Sequence, residues 1–567
     1  MVDDVARPAA QPRSDRRPLV LLAFALGAEI VFLLAVPRYV TVDGATHLGS
    51  AALIRDIIQG VGAVHLRYVD VASFPAPNIL PEIALGLVML VLDPAMSEKL
   101  LQIACVVLLP LALLYAVRSI RRDRDWFALL ALPLTFSFAF QFGFYDFTFG
   151  VGLFLVAAGY LWRHREAPGW RSAMTFGLLA LLVYLTHAVP FLELVVFGAV
   201  VLGERLVGAA RSGGLTAAGM AFRSAGPLLL ATLPSGALAA VFFLATRSAE
   251  PAEYLSLPLQ VIGVLGMGLG LVTTDRLEVL IAVGLALTLL VLFLGTLSLR
   301  FGAAGRAVHG GDVLLAYAVI AVVLACLAPA SVRSGGSYIP ERLALFPVYG
   351  LALWLAGADL PRWSARVGVV VWPLAAAAVL LLRLPTTLSL SNAAIDYESI
   401  APCIATGATM IQVNLARLPS GSLGRTDPFL AEAGRIAAAT RGHDIGNFEG
   451  TFPFSLFQNR AENDPSLWLL TRPDGFAVPP GVDLDGFRAR PDGVVDYVLV
   501  VARARASVDV LAGPGWDLLR GQLGAGYRRV AVSPGGLVEA WERTDPALVN
   551  AGAARRSANN CPSPAPS

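Results

Sequence analysis

The sequence predicts a polytopic all-α membrane bundle of eleven to thirteen helices, with a small extracytoplasmic α/β domain at its C-terminal end. Three observations predict it. Of 567 residues, 56% are hydrophobic and only 15% charged, where soluble domains carry about 25% charged residues. The apolar residues come in runs long enough to approach a hydrocarbon core of about 30 Å. Beyond residue 383 the pattern changes to short strand-like runs separated by turn residues. This composition excludes a soluble, a disordered or a coiled-coil protein.

Residues 1–18 are polar and basic, and they lead into the first apolar run, Leu19–Val36, interrupted by Glu29. The run exceeds a signal-peptide core and no small-residue cleavage site follows it. It therefore reads as a first transmembrane helix whose start Arg13, Arg16 and Arg17 hold in the cytoplasm. Ten further spans are expected near 98–117, 126–140, 147–162, 172–189, 190–206, 225–246, 277–298, 312–327, 341–357 and 367–382. With eleven crossings, the basic clusters Arg118–Arg124, Arg163–Arg171, Arg205–Arg223, Arg300–Arg306 and Arg362–Arg366 all fall inside. Loops 37–97, 141–146, 247–276 and 328–340 then fall outside, with the whole tail from Arg383. The apolar stretches 79–92 and 255–272 leave two counts open: thirteen if both cross, eleven if both are re-entrant or interfacial. Eleven is the preferred reading.

The tail divides into a domain over 383–549 and a polar, Ser- and Pro-rich end over 550–567 that reads as disordered. Strands are expected at 408–415, 494–502, 507–513 and 527–543, the last broken by Pro534-Gly535-Gly536. Asp427–Thr440 reads as a helix capped by Asp427 with Pro428 at its first position. Forty-three basic and 41 acidic residues nearly cancel, which gives no reason to expect nucleic acid. Of the four cysteines, Cys105 and Cys326 lie in apolar runs. Cys403 and Cys561 share the tail, where one disulfide and two free thiols both remain open.

The first outer loop, Arg38 to Asn78, carries the most chemistry. Asp43-Gly44 follows the first span closely, and a helical pattern begins after it, with Arg55, Asp56 and Gln59 on its wet side. Asp43 therefore has two readings, a helix cap and a carboxylate that takes a proton from an acceptor hydroxyl. His47 lies one turn further on and shares either role; His65, Tyr68 and Asp70 read as surface.

The order of a first helix, a loop opening as Asp43-Gly-Ala-Thr-His47-Leu48, an amphipathic stretch and the Pro-rich Phe74–Asn78 resembles the GT-C superfamily of polytopic membrane glycosyltransferases. The late segment Tyr338–Tyr349 and an outward C-terminal domain extend the resemblance. It implies a GT-C-like fold at the cell membrane and transfer of a sugar from a polyprenyl-phosphate donor. The acceptor would be a cell-envelope glycan, lipid or protein on the outer face. It also implies that the acid of the first outer loop, here Asp43, is the catalytic base. Many members carry two adjacent acids there. Asp43-Gly44 departs from that pattern, so a divalent metal stays open as a cofactor without the support of a paired-acid motif, and no metal ligands are assigned.

Other polar groups sit at the outer ends of spans, where an unpaired charge is costly. Asp146 lies beside Tyr145 among four phenylalanines, as a second acid or as a solvated member of an aromatic belt. Glu82, His187 and Tyr145 are candidates for lining the same cavity, with Glu193 near them. Arg333, in a Ser/Gly-rich loop, and Arg342, after Glu341, are candidates for gripping the donor phosphate through the planar guanidinium fork. Arg342 pairing with Glu341 is the structural alternative. In the tail, His443, Asp444, Asn447, Glu449, Asn463, Asp464 and Trp468 mark either a carbohydrate surface or a wet loop. Nucleotide-binding, serine-hydrolase and zinc-protease motifs are absent. Two other classes stay in competition: a non-catalytic envelope assembly or lipid-binding protein, and a secondary transporter.

Overall fold

Long apolar helices dominate the computed structural model, which describes residues 16–72, 76–166, 168–246, 251–273, 275–302, 311–332, 336–417, 425–464, 482–490 and 493–544. The chain starts with α1 (Arg17–Ala35), and α2 (Gly44–Ile58), α3 (Leu80–Val88) and α4 (Pro94–Ile120) follow. A broken segment over Asp125–Phe142 contains the short helices α5 (Leu132–Thr135) and α6 (Phe138–Phe142). Next come α7 (Tyr145–His164), α8 (Trp170–Thr186), α9 (Ala188–Ser224) and α10 (Gly226–Ala245). Then follow α11 (Leu257–Leu265), α12 (Gly268–Leu271), α13 (Glu278–Gly302) and α14 (Asp312–Leu327). The bundle ends with α15 (Ile339–Leu343), α16 (Leu345–Gly357) and α17 (Ser364–Glu398).

Among the described residues, eight helical segments are long and apolar enough to cross a membrane, and α8 and α14 are shorter apolar helices. The two stretches left open by the sequence become α3 and the pair α11–α12. At about 1.5 Å per residue, helices of nine residues and fewer fall well short of a ~30 Å core. The helix α9 is bent at Gly213 and Gly214, and Gly214 takes a φ of +68°.

The broken Asp125–Phe142 segment is wholly buried. Irregular backbone at membrane depth survives only when protein satisfies its polar groups. Arg383 does this: it donates to the carbonyls of Phe136 and Leu271 and is paired at 2.9 Å with Glu278. The change of sequence character expected at Arg383 brings no break in the helix. The helix α17 continues through it to Glu398.

The C-terminal domain holds a five-stranded mixed sheet. In chain order the strands of the molecule are β1 (Val69–Val71), β2 (Ser331–Val332), β3 (Gly336–Ser337), β4 (Thr409–Asn414), β5 (His443–Asp444) and β6 (Phe457–Asn459). They end with β7 (Tyr497–Val501), β8 (Tyr527–Val532) and β9 (Val538–Arg543). The sheet order is β5-β4-β7-β9-β8, with β5, β4 and β7 parallel and the β8–β9 hairpin antiparallel. The alternating run 527–543 thus forms the expected hairpin, turned at Gly536 with φ +68°. Two local expectations are corrected. Residues 508–511 are helical because Ser507 caps them through the Val510 N–H. In the 427–440 stretch only α18 (Ala433–Thr440) is helical, so the residue at its N-cap position is Glu432 rather than Asp427.

The domain is seated on the first outer loop. Gly434 of α18 lies against the Ala45 carbonyl of α2, so close that a Cβ would overlap it, and Gly49 meets Gly434 at a similar crossing. Arg435 bridges to Glu98 of α4 and, at 2.7 Å, to Glu432. The strand β1 pairs with β6. The helix α2 is therefore covered on both sides, and its expected wet face is corrected: Arg55 and Asp56 are buried, paired with each other at 2.7 Å, with Arg55 also donating to the Ala438 carbonyl. Cys105 and Cys326 are free and buried. Cys403 is disulfide-bonded, and Cys561 and the 550–567 end lie outside the described residues.

Candidate functional site

After α1 the chain runs back across the broken segment, and the Asp43 N–H donates to the Phe142 carbonyl at 2.8 Å. That approach requires glycine twice. Gly143 has φ +95° and a Cβ there would come within 2.8 Å of the Gly44 nitrogen; a Cβ on Gly44 would collide with Thr41, Glu98 and the Tyr145 hydroxyl. Gly44 is thus a packing glycine, which makes Asp43 point into the interior.

Asp43 occupies the N-cap position of α2, yet its side chain makes no capping hydrogen bond. The residue is 6% exposed, and Oδ1 is buried with no partner. Burial pushes its pKa up to about 7, against the opposing pull of His47 and Arg342. A buried carboxyl tuned close to neutrality is suited to exchanging a proton.

One turn on, His47 Nδ1 lies 3.2 Å from Glu82 Oε1 and 3.5 Å from Glu449 Oε1. Burial opposes its charge, but the carboxylates of Glu449, Glu82 and Asp146 outweigh it and hold the imidazole well above its ordinary pKa. Burial likewise raises Glu449, partly offset by His47. Glu449 comes from the C-terminal domain, on the short turn Phe448–Thr451. The His47, Glu82 and Glu449 ligand atoms lie within 4.8 Å of one another, a donor set able to hold a divalent cation. Adjacent paired acids play no part in it. Glu82 Oε2 and Asp146 Oδ1, both buried, have no hydrogen-bond partner.

Arg342 approaches from the other side. Its guanidinium lies 3.8 Å over the Phe144 ring, with NH1 3.4 Å from His187 Nε2 and Nε buried and unpartnered. The expected alternative, a pair with Glu341, does not form. Glu341 is taken at 3.0 Å by Arg425, which also donates to the Gly268 and Val272 carbonyls. His187 Nδ1 accepts the Val189 N–H at 3.0 Å. The ring proton must then sit on Nε2, so His187 and Arg342 aim donors at each other. An anionic oxygen between them would be held by both.

Seven sequence-chosen residues thus belong to one polar centre: Asp43, His47, Glu82, Tyr145, Asp146, His187 and Arg342. The eighth, Arg333, lies outside the described residues. Tyr145 contributes its ring, 5.7 Å from that of His47, while its hydroxyl is tied to Thr41, Gln102 and Glu98. Glu193 is separate and bonded to Tyr317. His65 and Tyr68, expected at the surface, are buried. His65 contacts Asp56 and His443, and Tyr68 stacks on His443 at 5.0 Å. Asp70 is exposed and pairs with Arg460. Sequence reasoning missed the Glu98–Arg435–Glu432 clamp, although two charges at the head of an apolar span, Glu98 and Lys99, are a signal in themselves. Among the described residues of the tail's polar run, Glu449 reaches the centre's His47, while Trp468 lies outside the described residues.

The fold defines a class: a multi-pass membrane protein, an all-α bundle carrying a mixed-sheet domain over the connection between its first helix and α4. The particular likeness is to the crystal structure of ArnT from Cupriavidus metallidurans in the apo state. That match has a TM-score of 0.53 and 12% identity, and it covers 94% of this chain and 99% of that one. The structure of the same protein bound to undecaprenyl phosphate matches with a TM-score of 0.53 and 12% identity, over 94% of this chain and 98% of that one. Neither a protein-family model nor a curated protein matches the chain in sequence.

Proposed function

We propose that this protein is a membrane glycosyltransferase, moving a sugar from a polyprenyl-phosphate donor to an acceptor on the outer face of the membrane. The single observation that carries the reading is the pairing of unsatisfied groups across one buried centre. Asp43 has an unpartnered carboxylate oxygen on one side, and Arg342 has an unpartnered Nε beside His187 on the other.

In this reading the donor's phosphate oxygens lie between Arg342 and the His187 Nε2–H, and its chain runs out to lipid. The acceptor hydroxyl loses its proton to Asp43 as its oxygen bonds the anomeric carbon. The bond from that carbon to the phosphate oxygen breaks, and the polyprenyl phosphate departs with the electron pair. Asp43 also offsets positive charge developing on the sugar. Asp146 and Glu82 line the cavity as additional acids. The same-fold protein bound to undecaprenyl phosphate supports a lipid phosphate as partner.

The test is binding of undecaprenyl phosphate to purified protein in nanodiscs, with the corresponding alcohol as control. Saturable binding of the phosphate, absent for the alcohol and weakened in Arg342→Ala, is the expected result. Equal binding of both, or none, overturns the proposal.

A further inference from the structure

Along the same helices, beginning one turn of α9 beyond His187, lies an apolar crevice that the proposed transfer does not use. The helix α10 packs along α8 and touches α9 little, leaving a cavity of about 280 Å³ between them. Phe176, Phe191, Leu194, Val201 and Leu228 line it, and Arg165 and Arg205 stand at one end. From Phe191 to Arg205 the crevice follows α9 for fourteen residues, about 21 Å at the helical rise. That exceeds half of a ~30 Å hydrocarbon core, the depth of one leaflet. Arg165 ends α7, whose other end carries Asp146, so about 28 Å separates the arginine end from the polar centre.

The two arginines are held in place at that end. Arg165 lies 3.9 Å over the Trp162 ring and donates to the Trp162 carbonyl; its ion-pair partner, Glu166, is largely exposed. Arg205 donates to the Glu166 carbonyl and to Ser224 Oγ, both neutral acceptors. Two half-buried guanidinia at the mouth of an apolar slot of one-leaflet length match an anionic head on an acyl chain. A tryptophan at the same level fits the headgroup boundary.

We propose that this crevice is a binding site for an anionic glycerophospholipid of the leaflet away from the C-terminal domain, with an acyl chain along α9 and its phosphate on Arg165 and Arg205. The site is separate from the donor site and does not depend on that assignment.

Native mass spectrometry of delipidated protein tests it, with phosphatidylglycerol and phosphatidylcholine of matched chains as probes. Wild type should retain phosphatidylglycerol preferentially. The double variant Arg165→Ala/Arg205→Ala should weaken that binding by about tenfold or more and lose the preference. If that variant fails to fold, Leu194→Trp serves as the second arm: it fills the slot, keeps both arginines and should abolish retention. Equal retention of the two lipids by wild type overturns the proposal. So does an unchanged preference in the variants, or displacement of phosphatidylglycerol by equimolar undecaprenyl phosphate, which would make the crevice a carrier site.

Discussion

Asp43→Asn separates catalysis from architecture because its two consequences have opposite signs. The folded protein holds the Asp43 pKa near 7, about three units above an unfolded aspartate near 3.9. Between those values the folded state keeps a proton that the unfolded chain has released. Stability therefore falls as pH rises through the window, and the cost is complete above about pH 7. Three units correspond to at most about 4 kcal/mol. Asparagine has no charge to bury, so the variant should melt at a higher temperature than wild type at pH 8, with the gap closing toward pH 4. In the proposed reaction the same substitution removes the proton acceptor and should lower turnover of a polyprenyl-phosphate sugar by about 10²–10⁴. In wild type, kcat/KM should fall below about pH 7 as Asp43 takes up its proton, and the variant should lose this acid limb. Thermal melts followed by tryptophan fluorescence, run beside turnover on one preparation, read both effects. A variant less stable at pH 8 would restore Asp43 to a capping role, as would one with normal turnover, and either result refutes the reasoning.

Arg342→Ala should weaken donor-phosphate binding by about tenfold or more, and Arg342→Lys should recover only part of it, because an ammonium lacks the planar fork; equilibrium binding of undecaprenyl phosphate measures both. Arg435→Ala leaves Glu98 and Glu432 buried without their shared cation, and should cost about 3–5 kcal/mol in a denaturation midpoint series. Gly434→Ala forces a Cβ into the Ala45 carbonyl and should loosen the C-terminal domain from α2; faster proteolysis of the domain with the bundle intact is the expected readout. For topology, a cysteine at Arg528 should react with an impermeant maleimide on intact cells, and one at Arg223 only after permeabilisation.

Where the fold was legible in the sequence, a local pattern reported it. Apolar runs marked the bundle helices, and alternation with a Pro-Gly-Gly turn marked the β8–β9 hairpin. What escaped was set by partners distant in the chain. Arg383 reads as the end of a span because a lone arginine in an apolar run is costly; Glu278, 105 positions earlier, removes that cost and lets α17 continue. Arg55 and Asp56 read as a wet face because no local pattern announces that Ala438, 383 positions on, will cover it. The site was more legible than these, for a related reason. Folding supplies partners for most buried polar atoms, so those left without one need an explanation. Asp43 Oδ1, Glu82 Oε2, Asp146 Oδ1 and Arg342 Nε are such atoms, and all four belong to residues selected from sequence as polar groups within or beside apolar runs. Position at the membrane boundary made them candidates. Their shared lack of partners, acids facing a cation and a histidine N–H, is what turns four isolated polar residues into one candidate site.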